Sequence, residues 1–209
     1  MEFALLGWPP GAPTLRLDYR RFAYAGKFVR GSTGTAVVRR SDSPPEGDPD
    51  DDFDRDVLAA ASFSADRTDA DCLVVRYVTV RDDRRGEGLG PRLLAFVATR
   101  AADRGYDRVR IAVNNPAAYR AAYRAGFAFT GRETGLAELV CERPAATPAD
   151  RNPERYRAGL DRYRERDLNE GLAARLDDWL GGDPPPTVAP PPGVDADGER
   201  VGGGHEPGR

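Results

Sequence analysis

Lysine and histidine are almost missing from this 209-residue chain. Lys27 is the single lysine and His205 the single histidine, and the latter lies in a Gly-rich tail. With no histidine in the remaining chain, a His-based catalytic triad or a His-rich metal site is excluded there. The two cysteines, Cys72 and Cys141, are far apart and form no CxxC pair. They imply neither a disulfide framework nor a zinc ribbon, and no metal is expected. No apolar run approaches the ~18 residues of a membrane span. The N-terminal stretch is broken by Pro9, Pro10 and Pro13 and lacks a basic start, so it does not read as a secretion signal. A cytoplasmic location with reduced thiols is the expectation. The balance of 31 Lys+Arg against 34 Asp+Glu leaves a net charge of −3. A nucleic-acid partner loses its simplest argument, and no membrane partner is expected either.

What the chain does contain is organised as alternating strands and helices. Phe3–Leu6, Leu15–Leu17 and Thr35–Val38 are candidate strands, and 19–28 is ambiguous. Residues 41–56 are acidic and Pro-containing without apolar periodicity, as in a long surface loop. Residues 57–64 and the β-branched run Cys72–Val80 follow as strands. A polar turn, RDDRRGEGLG, leads into a helix on which Leu93, Leu94, Val97 and Ala101 recur at helical spacing. Pro91 suits its first turn and Gly105 its stop. Val109–Val113 is another strand. Asn115 and Pro116 then open a short Ala-rich helix that ends at Gly126. Phe127–Thr130 and Leu136–Cys141 form a hairpin candidate around 131–135.

The composition changes at Pro144. This sets expected boundaries of 1–143 for the main domain, 144–181 for a helical extension and 182–209 for a disordered tail. The extension carries Tyr156, Leu160 and Tyr163 on one helix, and Leu172, Leu176, Trp179 and Leu180 on another. From Asp183 onward Pro, Gly and charge dominate, too little apolar surface to offset ordering entropy.

The chemistry is concentrated in the strand, turn and helix around residue 86. Gly86, Gly88 and Gly90 allow close backbone approach and free N–H groups. The helix start adds unpaired amides and the positive end of a dipole. Together they suit an anion, most naturally a phosphate, with Arg84 and Arg85 beside it. A Walker loop is excluded because no GK[ST] follows, and the spacing G-x-G-x-G departs from the dinucleotide fingerprint.

These residues resemble the GNAT superfamily of N-acetyltransferases. Its acetyl-CoA signature is Q/R-x-x-G-x-G/A, and Arg85, Gly86, Glu87, Gly88, Leu89 and Gly90 fit it after a strand ending in Val78, Thr79 and Val80. A second family pattern is matched by Asn115, Ala118, Gly126 and Phe127. The resemblance covers residues 57–142. It implies an α/β (α+β) fold with a twisted mixed sheet whose central parallel strands, Cys72–Val80 and Val109–Val113, splay apart. It also implies acetyl-CoA as co-substrate, its pantetheine on the Val78–Val80 backbone and its pyrophosphate on 85–90. Asn115 would hold the cofactor arm or cap its helix. The reaction implied is attack of an amine on the thioester; the alternative is a catalytically silent acyl-CoA-binding regulatory module.

The resemblance is incomplete at the catalytic positions. The family often places a Tyr acid where this chain has Ala122. Tyr123 is the expected acid if a local irregularity turns it round, with packing as its other role and Tyr119 in reserve. No Glu occurs between Asp71 and Glu87. Asp69, Asp71, Glu133 and Glu138 are the remaining carboxylates considered for a base, and Glu87 should face solvent. Residues 17–35 are too few for the two helices the family usually has there. The Tyr156–Leu180 helices are therefore expected to wall the acceptor side, or to pair with another subunit in a homodimer.

Overall fold

Strands rich in alanine and valine can lie close together and be covered on both faces; such strands sit at the centre of the eight-stranded sheet formed among the described residues. The computed structural model describes residues 1–29, 32–41 and 52–195. The strands are β1 (Glu2–Gly7), β2 (Gly34–Arg39), β3 (Val57–Ala65), β4 (Cys72–Val80), β5 (Arg108–Val113), β6 (Ala128–Glu133), β7 (Leu139–Pro144) and β8 (Val194–Asp195). Their order across the sheet is β6-β7-β5-β4-β3-β2-β1-β8. β1 to β4 form an antiparallel meander, β4 and β5 are parallel, and β7 joins β5 and β6 antiparallel.

Helix α1 (Leu89–Ala102) covers one face. Leu93, Leu94, Val97 and Ala101 are buried against Leu58, Phe63, Leu73 and Val75. The opposite face is closed without a long helix. Leu15, Leu17, Phe22 and Phe28 form a second cluster with Ala4, Val37, Val57 and Ala60. Leu15–Leu17, an expected strand, is irregular chain. It lies over the sheet face, held by apolar contacts and by two isolated backbone bonds, Leu15 N to Phe28 O and Asp54 N to Arg16 O, each 2.9 Å, rather than by a ladder. The stretch 19–28 holds only turns and a 3-10 turn at Ala25–Lys27.

Helices α2 (Pro116–Arg124), α3 (Pro153–Asp161) and α4 (Glu170–Gly181) begin on asparagine caps. Asn115, Asn152 and Asn169 each accept an amide from the first turn, at 2.8–2.9 Å, in the Asn-Pro or Asn-acid context where such caps form. Tyr156, Leu160 and Tyr163 lie in the same buried cluster as α1 and α2. The hairpin is displaced from its expected position. Its turn spans 134–138, fixed by Thr134 N to Glu138 O at 2.9 Å, and Leu136 is 84% exposed.

Residues 183–195, expected from composition to be disordered, are placed instead. Val188 donates its amide to Arg124 O at 2.7 Å. Arg100 donates to Gly193 O at 3.1 Å, and Asp195 lies between Arg100 and Arg104. β8 then pairs in parallel with the edge of β1. The segment gains order from arginines and a sheet edge supplied by the rest of the fold, which its own composition does not encode. Residues 42–51 of the acidic loop and 196–209 of the tail, His205 included, lie outside the described residues. Among the described residues no helix is long and apolar enough to cross a membrane.

Candidate active site

Two parallel neighbours that begin together do not end together. β4 and β5 pair only from Cys72↔Arg108 to Val75↔Ile111. The next residue, Arg76, is a bulge: Phe63 of β3 faces Val75, while Ser62 faces Tyr77. A bulge bends its strand and raises the local twist, which carries the rest of β4 away from β5. It also resets the alternation of side chains. Leu73, Val75, Val78 and Val80 pack toward α1, whereas Tyr77 joins the cluster under the N-terminal segment.

Beyond the bulge, β4 keeps its bonds to β3. Arg81 N donates to Leu58 O at 2.9 Å, which makes that pair and the pair Thr79–Ala60 the bonded ones of the ladder. In an antiparallel ladder bonded pairs alternate, so the amides and carbonyls of Val78 and Val80 point the other way, into the gap toward β5. Thr79 is turned from it: its hydroxyl donates to Ala23 O at 2.8 Å. A cleft of about 120 Å³ occupies the gap. Arg76, Tyr77 and Val78 line it from β4 and 111–115 from the β5 side, with Tyr24, Ala118 and Glu138 completing the lining.

The Gly-rich turn lies at the far end of β4. Gly86 and Gly88 have φ of 91° and 78°, a region that disfavours any side chain, and Gly88 caps α1. The Gly86 and Gly88 amides donate to no backbone carbonyl among the described residues, and the first amides of α1 have no partner within the helix. Pro91, third in α1, brings no N–H. Arg85 pairs with Asp82 at 2.5 Å and Arg84 with Glu87 at 3.3 Å, so Glu87 is exposed as expected. A third cation, absent from the sequence expectations, is Arg124: its guanidinium would lie 3.7 Å from a Cβ at Gly88. Arg81 is buried and paired with Asp83 at 2.7 Å, which holds the Asp83 carboxyl below the usual carboxylate range.

Asn115 sits in the cleft wall but is engaged as a cap: Oδ1 accepts from Ala118 N at 2.8 Å and Nδ2 donates to Asn114 Oδ1 at 3.1 Å. Asn114 Nδ2 in turn donates to the Tyr24 hydroxyl at 3.3 Å. Gly126 ends the helix at φ 87°, and a Cβ there would meet Pro148 at 2.9 Å.

The structure does not bring Tyr123 to the cleft. α2 is regular from Pro116 to Arg124, without the irregularity that would rotate this side chain. Asn115 and Ala118 face the cleft, whereas Tyr119 and Tyr123 share another face and pack on Tyr156 of α3. The Tyr119 hydroxyl donates to Tyr156 O at 3.1 Å, and burial pushes its pKa well above the ordinary phenol value. Nor do the C-terminal helices wall the cleft, whose lining falls between residues 24 and 138. The segment between α3 and α4 supports it from behind: Tyr163 donates to Val113 O at 3.0 Å and Arg166 to Asn114 O at 3.1 Å. Asp69 and Glu133 are engaged with Arg108 and Arg162, whereas Glu138 reaches the cleft. Tyr24 could not be found from sequence, because it arrives from a turn about fifty residues before β4.

A splayed parallel pair beside an amide-rich glycine turn agrees with a sequence comparison: the profile of the Acetyltransferase (GNAT) family matches residues 32–127. By this match, residues 32–127 are similar to GNAT acetyltransferase domains. Members of that family take an acyl group from acyl-CoA. A search of curated proteins gave no match. Among solved structures, nourseothricin acetyltransferase is 25% identical, over 54% of this chain and 65% of that one, with a TM-score of 0.42. An N-acetyltransferase from Staphylococcus aureus Mu50 is 17% identical over 54% and 68%, with a TM-score of 0.43. A GCN5-related N-acetyltransferase from Kribbella flavida is 23% identical over 54% and 67%, with a TM-score of 0.41. The chain thus spans about 65% of the length of the first of these.

Proposed function

We propose that this GNAT-like domain transfers an acetyl group from acetyl-CoA to a primary amine. The observation that carries the reading is the unpaired edge of β4 beyond Val75, whose Val78 and Val80 main-chain groups point into the cleft. The thioester arm lies along that edge as a short extra strand. Its diphosphate rests on the amides of 86–90, with Arg84, Arg85 and Arg124 neutralising charge.

The amine must arrive neutral. Glu138, in the cleft lining, takes its proton directly or through a water. The nitrogen lone pair then attacks the thioester carbonyl carbon. The carbonyl oxygen gains charge and is met by a main-chain N–H of Val78 or Val80, fixed by the β3 ladder. The C–N bond forms, the C–S bond breaks, and the thiolate leaves. A free thiol has a pKa of about 8.5, so the thiolate is a tolerable leaving group and Tyr24 or Tyr77 suffices as proton donor. The net change is ammonium plus thioester giving amide, thiol and one proton.

A silent acyl-CoA-binding module is the second reading. It is favoured by Ala122, which stands where the family often has its tyrosine. Acetyl-CoA with a panel of primary amines and a thiol reagent separates the two. Thiol release that depends on the amine is expected; calorimetric binding of CoA without release from any amine would overturn the transferase reading.

A further inference from the structure

The cleft lining holds one positive and one negative side chain, Arg76 and Glu138, that make no ion pair with each other. Arg76 lies on the β4 wall, at the bulge, and is exposed. Its guanidinium is steadied by neutral groups: Nε donates to Ser64 Oγ at 2.9 Å and Nη2 to Ala65 O at 3.4 Å. A carboxylate in its field, Asp66, is committed to Arg110 at 2.8 Å and to Thr68. Glu138 lies on the other side, on the β6–β7 turn, where its Oε2 accepts from the Thr134 hydroxyl at 3.3 Å. Neither Arg76 nor Glu138 makes an ion pair among the described residues. Most other arginines near the sheet ends do: Arg81, Arg85, Arg108 and Arg110 each hold a carboxylate.

An arginine held in position by neutral acceptors keeps unspent N–H groups in the fork geometry that a carboxylate matches. A carboxylate across from it attracts an ammonium. We infer that the acceptor is a small zwitterion, an amino acid, whose carboxylate is gripped by Arg76 while its amine is directed by Glu138 toward the thioester. The bulge has two consequences at once: it opens the splay and it places Arg76 on the acceptor side. The inference rests on the transferase reading for its chemistry but not for its binding. The bonds made and broken are those given above, with the amino acid nitrogen as nucleophile and the released proton passing from Glu138 to solvent.

The test compares amino acids with their carboxamides, which keep the amine and remove the negative charge. With the full-length chain, thiol release should favour the amino acids by about tenfold or more in kcat/KM, the range of a charged hydrogen-bonded pair. Arg76→Gln should erase that preference mainly through KM, Arg76→Lys should restore part of it, and Arg175→Gln, exposed on α4 and outside the cleft lining, should leave it intact. Direct binding of the same ligands, followed by calorimetry with CoA present, gives a readout independent of turnover. Equal use of acids and amides, or a preference that survives Arg76→Gln, overturns the inference while leaving the transferase reading in place. Arg76-dependent binding of amino acids without thiol release does the reverse. Absence of both binding and release overturns both.

Discussion

The ring of Tyr123 lies 4.2 Å, centroid to centroid, from that of Tyr156, and Tyr119 stacks on the same ring at 5.7 Å. Two residues one turn apart on α2 therefore bind the C-terminal extension to the sheet domain. Arg151 adds a cation over the Tyr123 ring at 4.3 Å. A helix face given to this packing cannot also serve the cleft, because adjacent positions differ by about 100°.

Tyr123→Phe should therefore leave amine-dependent thiol release within about twofold of the parent, with an unchanged pH profile. A large loss of kcat at full stability would return Tyr123 to the chemistry. Glu138→Gln is the contrasting variant, and its rate should fall by the 10²–10⁴-fold (about) of a lost general base.

Two glycines of the extension should respond oppositely to alanine. In α3, a Cβ at Gly159 would lie 2.2 Å from the Tyr119 hydroxyl. Gly159→Ala should cost about 1–3 kcal/mol by overpacking, despite its better helix propensity. In α4, a Cβ at Gly171 meets only Asn169 Oδ1 at 3.7 Å. Gly171→Ala should be neutral or stabilising by up to about 1 kcal/mol. Urea denaturation of both variants reads the difference.

At the turn, Gly88 has φ 78° and open space but for Arg124. Gly88→Ala should lose about 1–2 kcal/mol of stability from the left-handed backbone. The added methyl would also lie 3.7 Å from the Arg124 guanidinium, beside the glycine amides, so calorimetry should show weakened acetyl-CoA binding. Unaltered affinity would remove the turn from the diphosphate site.

Acid should unfold the protein through a small set of carboxylates. Asp66 is lowered chiefly by the Thr68 amide and hydroxyl, Asp83 by the Arg81 guanidinium, and Asp18 by Arg20. Their folded pKa values lie below the unfolded 3.8, so the unfolded chain binds protons first as pH falls. Their contribution is fully present above about pH 5 and is lost as pH drops through 3.8 and below. Thermal melts from pH 7 to 3 should be flat and then fall, and Asp66→Asn should flatten the acid limb.

Local chemistry fixed much of this protein in advance. The span of β4 was legible because Cys72–Val80 is a dense β-branched run, and α2 because Asn115 and Pro116 mark its start and Gly126 its stop. The left-handed turn at Gly86 and Gly88 and the start of α1 were legible because backbone freedom and a helix start are properties of the residue types themselves. Tertiary structure alone decided which side chains meet across long separations. It brought Tyr24 and Glu138 to one cleft, pointed Tyr123 at Tyr156 instead, and drew residues 183–195 against Arg100 and β1. Spacing along a chain determines local conformation, whereas rotation about a helix, a one-residue bulge at Arg76 and an edge awaiting a strand are set by packing among segments far apart in sequence.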